Sequence, residues 1–382
     1  MPKAVSDDVV SILEYFKELD DPRSSINRKH LLGDLIVICV LAVIAGADGP
    51  KAIGVWADSN ETWLKQRLKL PNGVPSHDTI GRVLATLNAE AFQSCFESWI
   101  TGMKERAGSA PTTIAIDGKV LRRSHDRRRG LRPLQIVSAW SVEGGMSLGQ
   151  MACEDESNEI TAIPRLLGKI DVRKTTVTID AAGCQREIAS RIVDGGGDYL
   201  LALKGNQESL RNAVEEYITT HMENDFADVA HRKHEERKRS HGRVDHLTYY
   251  QLPAPKTLPG RSEWKKLKTI GVAIRISESQ GRQSADTRYY ISSMPMSVKR
   301  FANSVRGHWA IENTLHWCLD VTFREDESRV RDRLAATNLA WLKRFAISIL
   351  KRQTDKESIA MRRRKAGWNP EYLAKSIGLT TT

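Results

Sequence analysis

Residues 112–118 read Thr-Thr-Ile-Ala-Ile-Asp-Gly, a short run of residues with high β propensity that ends in Asp117 beside a glycine. Residues 175–180, Thr-Thr-Val-Thr-Ile-Asp, repeat this pattern and end in Asp180. A carboxylate at the end of a strand is well placed at the carboxyl edge of an α/β sheet, where ligands bind. Asp-Gly is also an ordinary turn sequence. The two aspartates taken alone therefore leave a functional site and a simple turn about equally supported.

The sequence around these two runs alternates between strand and helix patterns. Two further strands are predicted after Asp117, then a helix, the strand that ends in Asp180, a second helix and another strand. In order, the predicted flanking elements are Leu134–Trp140, Met146–Ala152, 159–167, 185–194 and Tyr199–Leu203. This order predicts the α/β class with a mixed sheet.

Residues 205–285 are polar and irregular, and we interpret them as an insertion with a small core of its own. Strands are predicted within it at 246–251 and near Ile270–Ile276. Strand Arg288–Ser292 returns to the sheet, and a long helix over about 297–321 follows. The last 60 residues or so are predicted to be helical and basic.

The N-terminal part, residues 6–100, is predicted to be helical throughout, with Ser6-Asp7-Asp8 capping the first helix and Ser76 or Asp78 capping a later one. Leu35–Ala47 is apolar but shorter than the roughly 20 residues of a membrane span, so it predicts a buried helix. The first four residues lack the pattern of a signal peptide. We expect a cytoplasmic protein with no membrane partner.

Composition limits the possible functions. Lys and Arg number 58 against 47 Asp and Glu, a net charge of +11. An excess of this kind is typical of nucleic-acid binding, although a solubility charge or a membrane-surface protein would also explain it. The five cysteines are scattered and odd in number, which argues against a disulfide framework and a zinc ribbon.

A third acidic position lies on the long helix. The run 308–317, HWAIENTLHW, places His308, Glu312 and His316 four residues apart and so on one helix face. A metal site such as zinc, or a buried polar stripe, would also fit this spacing. His-x₃-Glu is not, however, the spacing of the H-E-x-x-H metalloproteases.

Several segments together resemble a known family. They are IAIDGKVLRRS (114–124), TIDAAGCQREIA (178–189), YLLALKGNQ (199–207), HGRVDH (241–246), YYISS (289–293) and HWAIENTLHWCLDVTFREDESRVR (308–331). They resemble the DDE transposases of bacterial insertion sequences, in the subgroup of the H-repeat-associated proteins. Residues 21–48 resemble the accessory domain of that subgroup, so the resemblance extends over nearly the whole chain.

The resemblance implies an RNase H-like mixed-sheet catalytic core with a β-rich insertion between the second and third acidic residues, preceded by an all-helical accessory domain. We expect a helical N-terminal domain over 1–108, a catalytic domain over 109–350 that includes the insertion at 205–285, and a basic C-terminal tail over 351–382. The protein would act in the bacterial cytoplasm, associated with the nucleoid.

The resemblance also implies the chemistry. Asp117, Asp180 and Glu312 would be the catalytic, metal-binding triad for two Mg²⁺ ions, with Mn²⁺ as a substitute, and Asp117 would bridge the two. The substrates would be double-stranded terminal inverted repeats and target DNA, and the active form a homodimer or larger. An RNase H-like nuclease without strand transfer and an inactive DNA-binding relic are the alternatives.

The chain departs from the family pattern in two places, of which the first concerns DNA contacts. Related transposases carry Tyr-x₂-Arg-x₃-Glu-x₆-Lys around the glutamate, whereas this chain has Val305, His308, Glu312 and Leu319 there. His308, Arg306 or Arg324 would have to replace the missing side chains. The second departure is Asp245 of the segment 241–246, which stands where the family has Glu.

Further DNA-binding candidates come from the basic residues near the first aspartate and from a predicted strand end. Lys119, Arg122 and Arg123 begin a basic loop after Asp117 that would follow a phosphate backbone, or would simply be solvated. Lys204 and Asn206 follow a strand, although Gly205-Asn206 is also an ordinary turn. We interpret Arg362–Lys365 as a solvated charge run, and Trp309 and Trp317 as packing residues.

Overall fold

The computed structural model describes residues 12–107, 112–154, 158–240, 242–279 and 281–378. The N-terminal part is helical, as predicted, and its helices are α1 (Ile12–Tyr15), α2 (Leu32–Ala45), α3 (Pro50–Ser59), α4 (Glu61–Lys65), α5 (His77–Thr86) and α6 (Ala89–Ala107). Ser76 caps α5 by accepting a hydrogen bond from the Thr79 backbone amide at 3.3 Å. The predicted cap at residues 6–8 lies outside the described residues.

Helix α2 is the predicted buried helix, with every residue from Asp34 to Ile44 inaccessible to solvent. In the part of the chain that the structure describes, no single helix is long and apolar enough to cross a membrane. Helices α2 and α3 would meet the length and composition criterion only together, and they are bent by 96° at their junction.

The sheet has nine strands among the described residues, in the order β3-β2-β1-β4-β5-β9-β8-β7-β6. They are β1 (Thr113–Leu121), β2 (Leu134–Ser141), β3 (Met146–Ala152), β4 (Thr176–Ile179), β5 (Asp198–Leu203), β6 (Arg232–Ser240), β7 (Arg243–Pro253), β8 (Thr269–Ser279) and β9 (Arg282–Ser292). Strands β1, β4 and β5 are parallel, and the other pairings are antiparallel. The α/β class and the mixed sheet are confirmed.

Helices cover the sheet and connect it to the N-terminal part. They are α7 (Glu159–Leu167), α8 (Arg186–Asp194), α9 (Glu208–Glu223), α10 (Val298–Ile311), α11 (Arg333–Lys351), α12 (Ile359–Trp368) and α13 (Pro370–Ser376). Helix α10 packs on β1 and β4, and α11 contacts α2, α5, α6 and β3. On α11, Asn338 donates hydrogen bonds of 2.9 Å to the carbonyls of Leu84 and Leu87. Helix α11 therefore holds the N-terminal helices against the sheet.

The segment 205–285 differs from its prediction, because it extends the main sheet and also contains a helix. Strand β9 pairs with β5, so the strands of this segment continue the core sheet. Helix α9 was missed, although its buried residues Leu210, Val214 and Ile218 recur every four positions. Strand β6 was missed because its sequence, Arg-Lys-His-Glu-Glu-Arg-Lys-Arg-Ser, contains no apolar residue. It lies at the edge of the sheet, where charged side chains discourage pairing with other chains.

Two predictions about the C-terminal third were wrong. Arg362 and Arg363 are buried, because their guanidinium groups donate to backbone carbonyls such as those of Leu350 and Ala47. Only the next residue, Arg364, is exposed. Trp317 is 54% exposed and does not pack in the core, whereas Trp309 packs against a buried cluster as predicted.

Candidate active site

The parallel pair β1 and β4 brings the two strand-associated aspartates to one region. In their register Ile116 lies beside Ile179, so Asp117 and Asp180 are the next residues on adjacent strands, which are typically about 4.8 Å apart. Strand β4 ends there, but β1 continues to Leu121 because it still pairs with β2 on its other side. Asp117 therefore lies within a strand, at the point where its neighbour stops, and the prediction that its strand ends there was wrong.

Backbone amides hold both carboxylates in place. Asp117 Oδ1 accepts a hydrogen bond from the Gly118 amide at 2.9 Å. Asp180 Oδ1 accepts from the amides of Ala182 and Gly183 at 3.0 and 3.3 Å. These bonds fix the direction of each side chain without neutralising its charge.

Helix α10 crosses β1 and β4 and continues into the segment that carries Glu312. His308 lies 3.3 Å from Thr178 Oγ1 through its Nδ1, and His316 Nδ1 lies 3.6 Å from Asp117 Oδ2. Glu312 lies midway in sequence between these two histidines, and its side chain is exposed. The predicted long helix is α-helical only to Ile311, and two π-helical stretches, Glu312–His316 and Cys318–Thr322, follow. Single π turns inside helices are frequent at functional sites.

The electrostatics of this region are those of crowded like charges. Burial, together with the negative charge of Asp180 and then those of Glu159 and Glu312, raises the pKa of Asp117 to about 7, against the opposing Gly118 hydrogen bond. We call Asp117, Glu159, Asp180 and Glu312 the acidic edge. Glu159, the first residue of α7, was not among the site residues predicted from the sequence.

The nearby histidines do not supply a compensating positive charge. Burial lowers the pKa of His308 to about 4. Burial, together with the positive charges of Arg344 and Lys119, lowers that of His316 to about 3. Both rings are therefore neutral near pH 7, and the approach of His316 to Asp117 is not an ion pair.

The donor set of the acidic edge fits a hard divalent cation, which prefers carboxylate oxygens. Nε2 of His316, beside Asp117, is buried and has no hydrogen-bond partner among the described residues. In their present conformations, no three Asp, Glu, His or Cys side chains of the described residues are close enough to share one ion. The repulsion among these carboxylates is what a bound cation would offset.

The basic residues predicted to contact DNA near β1 have different surroundings. Lys119 belongs to β1 and is 7% exposed, and its Nζ lies 2.7 Å from Asp320 and 2.9 Å from Asp326. The expectation that Lys119 begins a basic loop, whether along a phosphate backbone or simply solvated, was wrong. Arg122 is 78% exposed with its Nε 3.0 Å from Asp326, and Arg123 is exposed.

The remaining candidates are also divided between the surface and internal contacts. Lys204 is exposed at the end of β5, next to β4. Asn206 donates a hydrogen bond of 2.7 Å to the Ala181 carbonyl and so holds the loop after Asp180. Arg306 donates to both carboxylate oxygens of Glu236 on β6, and His308 is half-buried against Thr178. Arg324 pairs with Glu327.

Comparison with known families divides the chain in two. Residues 108–349 match the family model described as the Transposase DDE domain. Residues 13–100 match the model described as DDE_Tnp_1-associated.

Named relatives match along most of the chain. A protein of Escherichia coli O157:H7 named "Putative transposase YncI" is 39% identical over 374 residues, which cover 97% of this chain and 95% of the relative. A protein of Escherichia coli K12 named "H repeat-associated putative transposase YhhI" is 35% identical over 372 residues, or 96% of this chain and 97% of the relative.

Proposed function

The chain belongs to the DDE transposase family, in the H-repeat group, and from this premise we propose that it cuts DNA at the ends of an insertion sequence and joins them to target DNA in a Mg²⁺-dependent reaction. The observation that carries the proposal is the placement of Asp117 and Asp180 on adjacent parallel strands, with the Glu312 segment lying across them.

Asp117, Asp180 and Glu312 would hold two Mg²⁺ ions, or Mn²⁺ in their place. When bound, such ions activate a water molecule and stabilise the attacking and leaving oxygens of a phosphodiester. The contacts of His308 and His316 hold the Glu312 segment over the two strands. The chain forms no covalent bond to DNA, because the 3′-OH released by hydrolysis attacks the target phosphodiester at the same site.

DNA would approach the acidic edge along its exposed cations. Arg122 and Arg123 lie at the end of β1, and Lys204 lies at the end of β5, one strand beyond Asp180. Lysine and arginine contacts to phosphates position a duplex without reading its sequence. Lys119 and Arg306 would reach DNA only by exchanging their present acidic partners. Cutting two ends together requires at least two copies of the chain.

Neutral substitutions at the triad test the proposal. Asp117→Asn, Asp180→Asn and Glu312→Gln should each abolish Mg²⁺-dependent cleavage of inverted-repeat DNA while leaving DNA binding nearly unchanged. The matched control is Glu187→Gln, because Glu187 is exposed and pairs with Arg191 on its own helix. Wild-type cleavage by any one triad variant would remove that residue from the site.

A second measurement separates a transposase from a nuclease. A labelled pre-cut end with a free 3′-OH is incubated with the protein, Mg²⁺ and a plasmid. Joining of the label to the plasmid supports strand transfer. Cleavage without joining would favour an RNase H-like nuclease, and no turnover on any DNA would favour an inactive relic.

A further inference from the structure

Glu159 points from the start of α7 toward β1 and β2. Asn158 caps the helix by accepting a hydrogen bond from the Ile160 amide at 2.9 Å, which sets the direction of the first turn. Gln135 of β2 donates a hydrogen bond of 2.5 Å to Glu159 Oε1. The carboxyl group is thereby half-buried against the sheet, whereas a first-turn glutamate is ordinarily solvated.

The carboxyl group of Glu159 lies directly on the backbone of Gly118. A Cβ atom built on Gly118 would be 1.9 Å from Oε1 and 2.5 Å from Cδ of Glu159. Both separations are far below van der Waals contact, so this approach requires a residue without a side chain. Because Gly118 follows Asp117, the absence of a side chain at Gly118 allows the Glu159 carboxylate of α7 to approach the first residue of the proposed triad.

Glu159 has no basic partner in the described ranges, unlike two other acids that are removed from solvent. Glu325 lies 2.9 Å from Arg344, and Asp245 lies 3.1 Å from Arg275. Burial, and then the negative charge of Asp180, raise the pKa of Glu159, and the hydrogen bond from Gln135 opposes them. A half-buried acid beside two others is unfavourable unless a cation joins them.

We propose that Glu159 is a fourth carboxylate of the metal site, which binds the divalent cation held by Asp117 and Asp180. This inference rests on the proposed function and adds a residue to its site. Glu159 acts as a metal ligand, directly or through one of the waters that Mg²⁺ retains. The glycine after Asp117 is then required by the site, since any side chain there would push this ligand away.

Metal binding by the full-length protein without DNA tests the inference. Mn²⁺ is titrated calorimetrically into wild type, Glu159→Gln and the control Glu187→Gln. Glu187 is also a first-turn glutamate, on α8, so both substitutions remove the same interaction with a helix N-terminus. We expect Mn²⁺ affinity to fall about 10-fold or more for Glu159→Gln and to stay within about twofold for Glu187→Gln.

Gly118→Ala provides a second variant that leaves all four carboxylates in the chain. It should weaken Mn²⁺ binding to a similar degree, and it decides the question if Glu159→Gln does not fold. Wild-type Mn²⁺ affinity in folded Glu159→Gln, or in Gly118→Ala where only that variant folds, would overturn the inference. Wild-type affinity in Asp117→Asn would instead overturn the proposed function, so the two failures are distinguishable.

Discussion

Two regions of the molecule bring charged side chains close together, and they differ in how the charge is balanced. In the acidic edge, four carboxylates approach one another, and the nearby histidines are neutral. The buried arginines, which are Arg344 of α11 and Arg362 and Arg363 of α12, each meet carboxylates or carbonyl oxygens. Each of these three guanidinium groups therefore has at least one oxygen partner, although Arg344 Nη2 and Glu325 Oε2 have none among the described residues. The acidic edge has no basic partner in the same part of the chain.

This difference distinguishes charged side chains that hold the fold together from charged side chains that bind a ligand. A buried ion that has its partners adds little net stability but is costly to break, so it holds helices in a fixed arrangement. Carboxylates that repel one another lower the stability of the fold, so their positions are explained by a ligand that they bind. Each prediction below changes one side of this comparison.

The largest expected effect is at the buried ion pair of Arg344 and Glu325, whose side chains are 0% and 1% exposed. Arg344→Met leaves Glu325 charged and without its partner, and it also removes the hydrogen bond to Ser138. We expect the free energy of unfolding to fall by about 3–5 kcal/mol, measured by urea denaturation in EDTA. The double variant Arg344→Met/Glu325→Leu should recover much of the loss, and a fully stable single variant would contradict this role.

The next effect is at Arg363, which hydrogen-bonds to the carbonyls of Val43 and Ala47 and to Asp48. Arg363→Ala removes these hydrogen bonds together and should lower the free energy of unfolding by roughly 2–3 kcal/mol. The matched control is Arg364→Ala. Arg364 is the next residue and is exposed, so this substitution should change the free energy of unfolding by less than about 0.5 kcal/mol. Equal losses in the two variants would mean that charge, and not burial, matters here.

Neutralising a carboxylate of the acidic edge should raise the free energy of unfolding, whereas the two substitutions above should lower it. In EDTA at pH 8, Asp117→Asn removes repulsion from Asp180 and the other two acids, so the free energy of unfolding should rise by roughly 1–2 kcal/mol. The same substitution abolishes the proposed cleavage. Urea denaturation with and without Mn²⁺ checks this prediction. Added Mn²⁺ should raise the free energy of unfolding of wild type more than that of the variant. A variant that is less stable than wild type in EDTA would show that Asp117 is structural.

The contrast also explains which parts of the fold were predictable from sequence. The apolar runs around Ile116, Trp140 and Ile179 predicted the core strands, because a buried strand needs apolar residues wherever it lies. Strand β6 was not predictable in this way, since it is held by backbone pairing to β7 and carries only polar side chains. Arg363 was misjudged because its acceptors, near Val43, lie more than 300 residues away.

The candidate site, too, was predictable only as far as local sequence patterns reach. Local patterns singled out Asp117, Asp180 and Glu312 but left the alternatives open, since the Asp-Gly pair is also typical of a turn. The resemblance to the transposases implied their role as a triad. The signal for Glu159 was this same glycine, but its meaning depends on the position of α7 over β1, which no local pattern contains. Whether Lys119 was free to bind DNA likewise depended on two acids some 200 residues away.

The smallest expected effects are at two helix caps, one in each region. Because the same kind of substitution is made at both caps, the two regions can be compared directly. Asn158 caps α7, which carries Glu159, and Ser358 caps α12, which carries Arg362 and Arg363. Asn158→Ala and Ser358→Ala should each lower the free energy of unfolding by about 1 kcal/mol, because each leaves a helix N-terminal amide unpaired. If Glu159 is a metal ligand, only Asn158→Ala should also weaken Mn²⁺ binding, since fraying of the first turn moves its carboxyl group off Gly118. Equal Mn²⁺ affinity in the two variants would show that the position of α7 does not influence the metal site.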